Sequence, residues 1–407
     1  MLTVLAGLAL AGWIYLVFFR GGFWRADQAL PAAKTLEPWP DLVAVIPARN
    51  EAPSIGAAVE SLLRQDYPGE IRVIVVDDAS TDGTEGAARA TAARLEAEGR
   101  LSVLEAPPLP PGWSGKLWAV HNGLMAVPRN RRYVLLTEAD IVHAPDAMRR
   151  LVSKAESDSL DLVSLMVKLH CESFAERLLI PAFVFFFQKL YPFPLVNDRK
   201  AAVAGAAGGC MLVRHEALLR AGGVEALRGA LIDDCALAAA LKKNGPIWLG
   251  LADKSASVRH YQTLGEIWRM VARTAYTQLR HSPALVAGTV LAMTLLYAVP
   301  PLALVVCPFL GAWMAAAFGA AAFALMLYAY RPTWTLYRGD DPAIVLLPLA
   351  AVLYTVMTVD SALKHRRGKG GAWKGRTYPA PGPGPAQGPG PAQGPGPAQE
   401  PERGPPP

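Results

Sequence analysis

Residues 284–330 contain no charged side chain, 47 positions in succession. A helix needs about 20 apolar residues to cross a bilayer, so this stretch has room for two crossings with a turn near residues 307–311. Residues 2–19 form an uncharged run of 18 residues. Residues 343–357 form a further apolar run, which extends to about 363 if Asp360 is tolerated near its end. Backbone in hydrocarbon must satisfy its own hydrogen bonds, which selects helices. Any fold for this chain therefore has apolar helices at both ends and its polar chemistry between them. Composition agrees: charged residues are 18%, against about 25% in soluble domains.

Ala9-Leu10-Ala11 looks like a signal-peptide cleavage site, but no cation precedes the run, whereas Arg20 and Arg25 follow it. Signal peptides carry the opposite flank. The expectation is an uncleaved anchor over residues 1–20, with the amino terminus outside and the next domain cytoplasmic. Three further crossings within 283–363 would then place the basic patch at 364–378 outside. Either one of those segments lies in the membrane interface or the charge rule fails here. The patch holds Lys364, Arg366, Arg367, Lys369, Lys374 and Arg376, which equal the whole net charge of +6. Such a local patch points to anionic lipid headgroups and argues against nucleic acid as a partner. Residues 379–407 contain three GPGPAQ copies, a composition that predicts a disordered tail. Cys171, Cys210, Cys235 and Cys307 form no CxxC pair, so no zinc or redox site is suggested.

Residues 38–282 carry the polar chemistry. Apolar, β-branched runs at 42–47, 71–77, 101–104, 133–137 and 160–167 read as strands. Helical patterns at 54–65, 82–98, 116–127 and 145–156 stand between them. The alternation predicts an α/β domain with a mostly parallel sheet and helices on both faces. Ligands on such sheets sit at the carboxyl ends of strands. The first strand ends in Pro47-Ala48-Arg49-Asn50-Glu51, without the glycine loop of a dinucleotide fold, and no GxxxxGK[ST] occurs. Paired acids stand instead at strand ends or before a helix: Asp77 with Asp78, Glu138 with Asp140, and Asp233 with Asp234. Each pair alone can be turn or cap chemistry. Together they are hard oxygen ligands of the kind that hold Mg²⁺ or Mn²⁺ on phosphates.

VIPARNE (45–51), VVDDASTDGT (75–84), TEAD (137–140), GGCMLVRHEAL (208–218) and DDCAL (233–237) occur in that order. This series resembles the family-2 inverting glycosyltransferases, which implies the GT-A nucleotide-diphospho-sugar transferase fold over roughly 42–282. A narrower likeness, to the hopanoid-biosynthesis-associated glycosyltransferases of bacteria, lies in PPGWSGKLWAV (110–120), LLIPAFVFFFQKLYPF (178–193), LIDDCALA (231–238) and MVARTAYTQLRHSP (270–283). The resemblance implies that Pro47, Arg49 and Glu51 border the nucleotide of a nucleotide-diphosphate sugar. It implies that Asp78 accepts from its base or ribose and that Lys116 lies near its phosphates. Asp140 matches the last acid of the DxD element that holds the metal. Glu138 stands where that pattern has Asp. Gly208 and Gly209 would let the backbone approach the acceptor, and Asp234 matches the family's catalytic base. Asp234 near a helix amino terminus should stay ionised and be a weaker base. The alternative makes Asp234 a plain cap and Asp233 the active acid.

The acceptor side is less marked. Residues 178–187 are too short to span and read either as a core helix or as an interfacial one. Residues 264–280 carry a one-sided apolar face with Arg269, Arg273 and Arg280, suited to the headgroup plane or to a plain solvated surface. Gln278 and Arg280 occur without a QxxRW motif, which favours a single transfer over processive polymerisation. Attachment at both ends points to a lipid acceptor, and the resemblance to a hopanoid-related one, at the bacterial inner membrane. Two alternatives stay open: a polyprenyl-phosphate sugar synthase, whose acceptor phosphate Arg273 or Arg280 could meet, and a catalytically silent membrane scaffold.

Overall fold

The computed structural model describes residues 1–228, 230 and 233–367, with the backbone of 372–373 and 376–377. The repeat tail and part of the basic patch, Lys369 and Lys374 included, lie outside the described residues. The polar domain is built on an eight-stranded sheet. Its strands are β1 (Leu42–Ala48), β2 (Ile71–Asp77), β3 (Leu101–Glu105), β4 (Tyr133–Thr137), β5 (Ile141–Val142), β6 (Leu162–Lys168), β7 (Cys210–Arg214) and β8 (Ile247–Ser257). Their spatial order is β3-β2-β1-β4-β7-β6-β8-β5.

The pairings β3-β2, β2-β1, β1-β4 and β6-β8 are parallel. β7 runs antiparallel between β4 and β6, and β5 antiparallel to β8. The expected parallel sheet thus holds for one half, and the other half is mixed. β1 is buried along its whole length, as its unbroken apolar run requires. Ile46, Val75 and Leu135 are fully buried in the core under one face. Burying each such side chain contributes roughly 1.5–3 kcal/mol.

The chain opens with α1 (Leu2–Phe19). The domain helices then follow: α2 (Ala52–Leu63), α3 (Thr84–Arg94), α4 (Gly115–Met125), α5 (Ala147–Ser157), α6 (Phe174–Leu190), α7 (Phe193–Asn197), α8 (His215–Arg220), α9 (Asp233–Lys242) and α10 (Leu264–Gln278). Ser114 caps α4 by accepting from Leu117 N–H at 3.3 Å. α6 starts at a capping box, in which Ser173 Oγ accepts from Glu176 N–H at 3.1 Å and Glu176 Oε2 accepts from Ser173 N–H at 2.8 Å.

After the domain come α11 (Pro283–Met293), α12 (Val299–Val306), α13 (Trp313–Arg338) and α14 (Leu347–Arg366). α11 and α12 are joined by a π-helical turn at Thr294–Ala298. Among the described residues four helical stretches are long and apolar enough to cross a membrane: Leu2–Phe19, Pro283–Leu310, Trp313–Arg338 and Pro342–Arg366. The expected turn is present as Cys307–Leu310, closed by Gly311 at φ +69°, a conformation that favours glycine. All four cysteines are free.

Candidate active site

The carboxyl ends of β4 and β6, the loop before β7, and the amino ends of α4 and α9 converge on one cavity of about 680 Å³. Lys116, in the first turn of α4, sits at its centre. Its Nζ donates to Glu138 Oε1 at 2.9 Å and lies 3.1 Å from Asp233 Oδ2. Burial opposes the ammonium charge, but Asp233, Glu138 and Asp234 outweigh it and hold the pKa above the lysine value. In return the Lys116 charge keeps the Glu138 carboxyl below its ordinary value, against burial.

Asp140 is buried and held on one side only. Its Oδ2 accepts from Arg259 Nε at 2.8 Å and from Ser257 Oγ at 3.0 Å. Its Oδ1 is buried with no hydrogen-bond partner. Burial, then the Glu138 charge, raises its pKa despite Arg259. Arg259 Nη2 also pairs with Glu51 Oε1 at 2.7 Å, tying the end of β1 to the end of β8.

Asp234, in the first turn of α9, accepts from Gly208 N–H at 2.9 Å through Oδ2 and from Cys235 N–H at 2.7 Å through Oδ1. Burial, then the neighbouring Asp233 charge, pushes its pKa up to about 6, partly offset by Lys116 and the two N–H donors. The expected weaker base is therefore corrected. The helix terminus does favour the carboxylate, but desolvation and a like charge act more strongly in the opposite direction.

Gly208 lies among these groups. A Cβ there would stand 3.2 Å from Glu138 Oε1, 3.3 Å from Lys116 Nζ and 3.4 Å from Asp234 Oδ2. At Gly209 a Cβ would meet Val167 at 2.9 Å, so that glycine answers to packing under the site.

Of the sequence-predicted residues, Pro47, Glu51, Lys116, Glu138, Asp140, Gly208, Gly209, Asp233, Asp234, Arg273 and Gln278 line this cavity. Arg49 and Asp78 do not. They pair with each other at the ends of β1 and β2, 3.7 Å apart, to one side. Arg280 is exposed and outside the lining, because the chain turns there with φ +52°. Sequence reading missed Ser257 and Arg259. Both stand at the end of β8, a strand that it did not assign, so the strand-end rule was never applied there.

The cavity has a second, apolar arm. Phe183, Phe186 and Phe187 of α6 line it together with Met270 of α10, Leu279 just after that helix, Met293 of α11 and Tyr354 of α14. One face of α6 fits the core-helix reading offered for it. Leu179, Ala182 and Phe185 are buried among the apolar helices, while its other face lines the cavity. The apolar face of α10 (Ile267, Val271) is likewise buried in that cluster, so it is not a plain solvated surface.

Residues 43–221 match the family described as Glycosyl transferase family 2. Over those residues the chain is similar to a family 2 glycosyltransferase domain. A succinoglycan biosynthesis protein, ExoO, of Rhizobium meliloti (strain 1021) is 32% identical over 158 residues, 36% of this chain and 42% of that protein. A 4,4'-diaponeurosporenoate glycosyltransferase of Staphylococcus aureus (strain bovine RF122 / ET3-1) is 31% identical over 119 residues, 28% of each chain. This chain therefore spans less than half the length of either relative. The mannosyltransferase PcManGT from Pyrobaculum calidifontis, solved with GDP-Man and Mn²⁺, superposes with a TM-score of 0.51 at 20% identity, covering 89% of this chain and 98% of that one. This likeness shows the fold, which is GT-A.

Proposed function

We propose that this protein is a membrane-bound inverting glycosyltransferase that moves a sugar from a nucleotide-diphosphate donor to a lipid acceptor, hopanoid-related in kind. One observation carries the reading: a single cavity runs from the Asp234 carboxylate into an apolar arm bounded by α11 and α14, which lie in two of the long apolar stretches. A water-soluble acceptor has no use for such an arm, whereas a lipid fills it while its polar head reaches Asp234.

The donor diphosphate belongs at the Lys116, Glu138 and Asp140 end, with Pro47, Arg49, Glu51 and Asp78 toward the nucleoside. Mg²⁺ or Mn²⁺ fits there. Asp140 offers a buried oxygen without a partner, and Glu138 stands next to it. Among the described residues no three His, Cys, Asp or Glu groups form a cage, so the remaining ligands would be diphosphate oxygens, as is usual for Mg²⁺. When bound, the cation stabilises the leaving diphosphate without proton transfer.

Asp234 acts on the acceptor. Its raised pKa suits a general base, and its two N–H contacts fix the carboxylate in place. Asp233 is instead engaged by Lys116, whose Nζ lies 3.1 Å from its Oδ2. As the acceptor hydroxyl attacks the anomeric carbon in line, Asp234 takes its proton and the sugar–diphosphate bond breaks on the far side. One base and no protein nucleophile give inversion. Arg273 lines the cavity and would meet the phosphate of a polyprenyl-phosphate acceptor, which keeps that alternative in play. The retained Asp140 and Asp234 argue against a silent scaffold. The domain faces the cytoplasm, where Arg20 and Arg25 set it, at the bacterial inner membrane.

The test is transfer of labelled sugar from a panel of nucleotide sugars by the membrane-reconstituted full chain. Acceptors are a hydroxyl-bearing hopanoid, a polyprenyl phosphate and a soluble sugar. Label on the hopanoid is expected. Transfer to the soluble sugar alone would sink the lipid reading.

A further inference from the structure

The four long apolar helices do not all run between the same two levels. The end of α1 lies at the domain, where Arg20 Nη2 donates to the Lys189 carbonyl at 3.4 Å. Its start lies at the opposite end, in a cluster where Ala6 packs with Ala303, Cys307, Ala315 and Ala316. The segment Pro283–Leu310 leaves the cavity, which Thr289 and Met293 line, and reaches the same distal cluster at Cys307. α13 starts in that cluster at Ala315 and returns to the domain. There Thr333 Oγ1 donates to Gln188 Oε1 at 2.7 Å, and Tyr337 OH accepts from Leu169 N–H at 3.3 Å.

The fourth helix behaves differently. Asp341, just before it, pairs with Arg338, and its carbonyl accepts from Trp334 Nε1 at 2.8 Å. Both partners are on the domain-side end of α13. In mid-helix, Tyr354 OH donates to the Leu179 carbonyl of α6 at 2.9 Å. Near the end of the helix, Asp360 Oδ2 accepts from Trp268 Nε1 at 2.7 Å, and Ser361 Oγ accepts from Tyr276 N–H at 3.1 Å, both on α10. The His365 ring stacks on His281 at 4.3 Å, two residues before Pro283 begins the outward segment. Both ends of the Pro342–Arg366 stretch therefore meet elements that abut the domain, and none of its residues joins the distal cluster. A crossing helix has one end at each face.

Its surface fits a position at the bilayer boundary. Leu347, Ala350, Tyr354, Met357 and Ser361, spaced three and four apart, are buried against the protein. Leu349, Val352, Val356 and Leu363 form an exposed apolar stripe on another side.

We propose that α14 lies along the domain-side face of the membrane, its stripe in the lipid, and that only three helical segments cross. Residue 367 then stands on the side of the domain, and Lys364, Arg366 and Arg367 rest on the headgroups there. That removes the conflict with the positive-inside rule, which three carboxyl-terminal crossings created. The inference rests on the membrane reading given above, but does not depend on which side the domain faces.

The experiment is labelling with a membrane-impermeant maleimide, in sealed spheroplasts and in inverted vesicles. It uses full-length chains whose native cysteines are replaced and which carry one cysteine each: Glu98→Cys in the domain, Phe309→Cys in the distal turn, or Arg367→Cys after α14. Detergent-solubilised samples establish that each thiol reacts. Positions 98 and 367 should label from one side and 309 from the other. Labelling of 367 from the side of 309 overturns the proposal, whichever side 98 takes. Positions 98 and 309 on one side would instead sink the membrane reading itself. If the chain without cysteines does not fold, protease sensitivity of a carboxyl-terminal epitope on the native chain gives the same answer. An epitope cleaved on the domain's side supports the proposal, and one cleaved on the other side overturns it.

Discussion

The two arms of the cavity are built on opposite principles. At the polar end charge pairs dominate: Lys116 between Glu138 and Asp233, Arg259 between Asp140 and Glu51. In the apolar arm the lining is ring and chain, with Phe186 packed edge-on against Tyr297 and Tyr354. Charge at low dielectric is strong and position-dependent, so one displaced atom has a large effect. Apolar contact is non-directional and proportional to area, so changes there are graded. The polar end should therefore govern rate, and the apolar arm should govern which acceptor is used and how tightly.

The widest separation is expected from Asp234→Asn. It removes the base without removing the side chain's bulk, and turnover should fall by about 10²–10⁴. Donor binding, measured by calorimetry, should persist. Near-normal turnover would break the assignment of Asp234. Chelation of divalent cations should abolish donor binding in the same assay, with Mn²⁺ or Mg²⁺ restoring it; donor affinity that ignores the chelator would remove Asp140 from its role. Gly208→Ala comes next. The added methyl makes Glu138 and Lys116 give by a few tenths of an ångström and comes into contact with Asp234, and kcat should drop by roughly 10²-fold with the fold retained in circular dichroism.

The pH response is smaller over the accessible range. Asp234 must be ionised to accept a proton, and its carboxyl is raised to about 6. Activity should hold above that value and decline by about tenfold per pH unit below it. A profile flat down to pH 4.5 would contradict the base assignment. In the apolar arm, Phe187→Ala should cost roughly 1–3 kcal/mol in acceptor discrimination, seen as a higher KM for the lipid with donor KM unchanged. An equal loss toward donor and acceptor would erase the division between the arms.

Much of the polar end was legible in the sequence. Lys116, Glu138, Asp140 and Asp234 meet in one place because each stands where a strand or helix boundary opens on the same sheet edge, and motif spacing preserves that. Ser257 and Arg259 were not legible, since the apolar run of β8 stops at Ala252 and a polar stretch carries the strand on to Ser257. The pKa of Asp234 was misjudged for a related reason. A sequence displays the helix terminus but not the depth of burial or the Asp233 charge beside it. Arg49 and Asp78 were correctly paired with strand ends, yet they lie outside the cavity, because two adjacent parallel strands can open on different sides of a loop.

The sequence by itself determined that apolar helices flank an α/β domain, that acids gather at its strand ends, and that the positive charge sits in one patch. These follow from periodicity and local chemistry. Only the tertiary structure decided that the acids share a cavity with an apolar arm, that Arg259 holds Asp140, and that one apolar helix of sufficient length keeps both ends at the domain. Length and hydropathy measure whether a helix can cross a membrane. Where its two ends are anchored decides whether it does, and those anchors, Trp334, Trp268 and His281, are 7, 92 and 84 residues away in sequence from their partners.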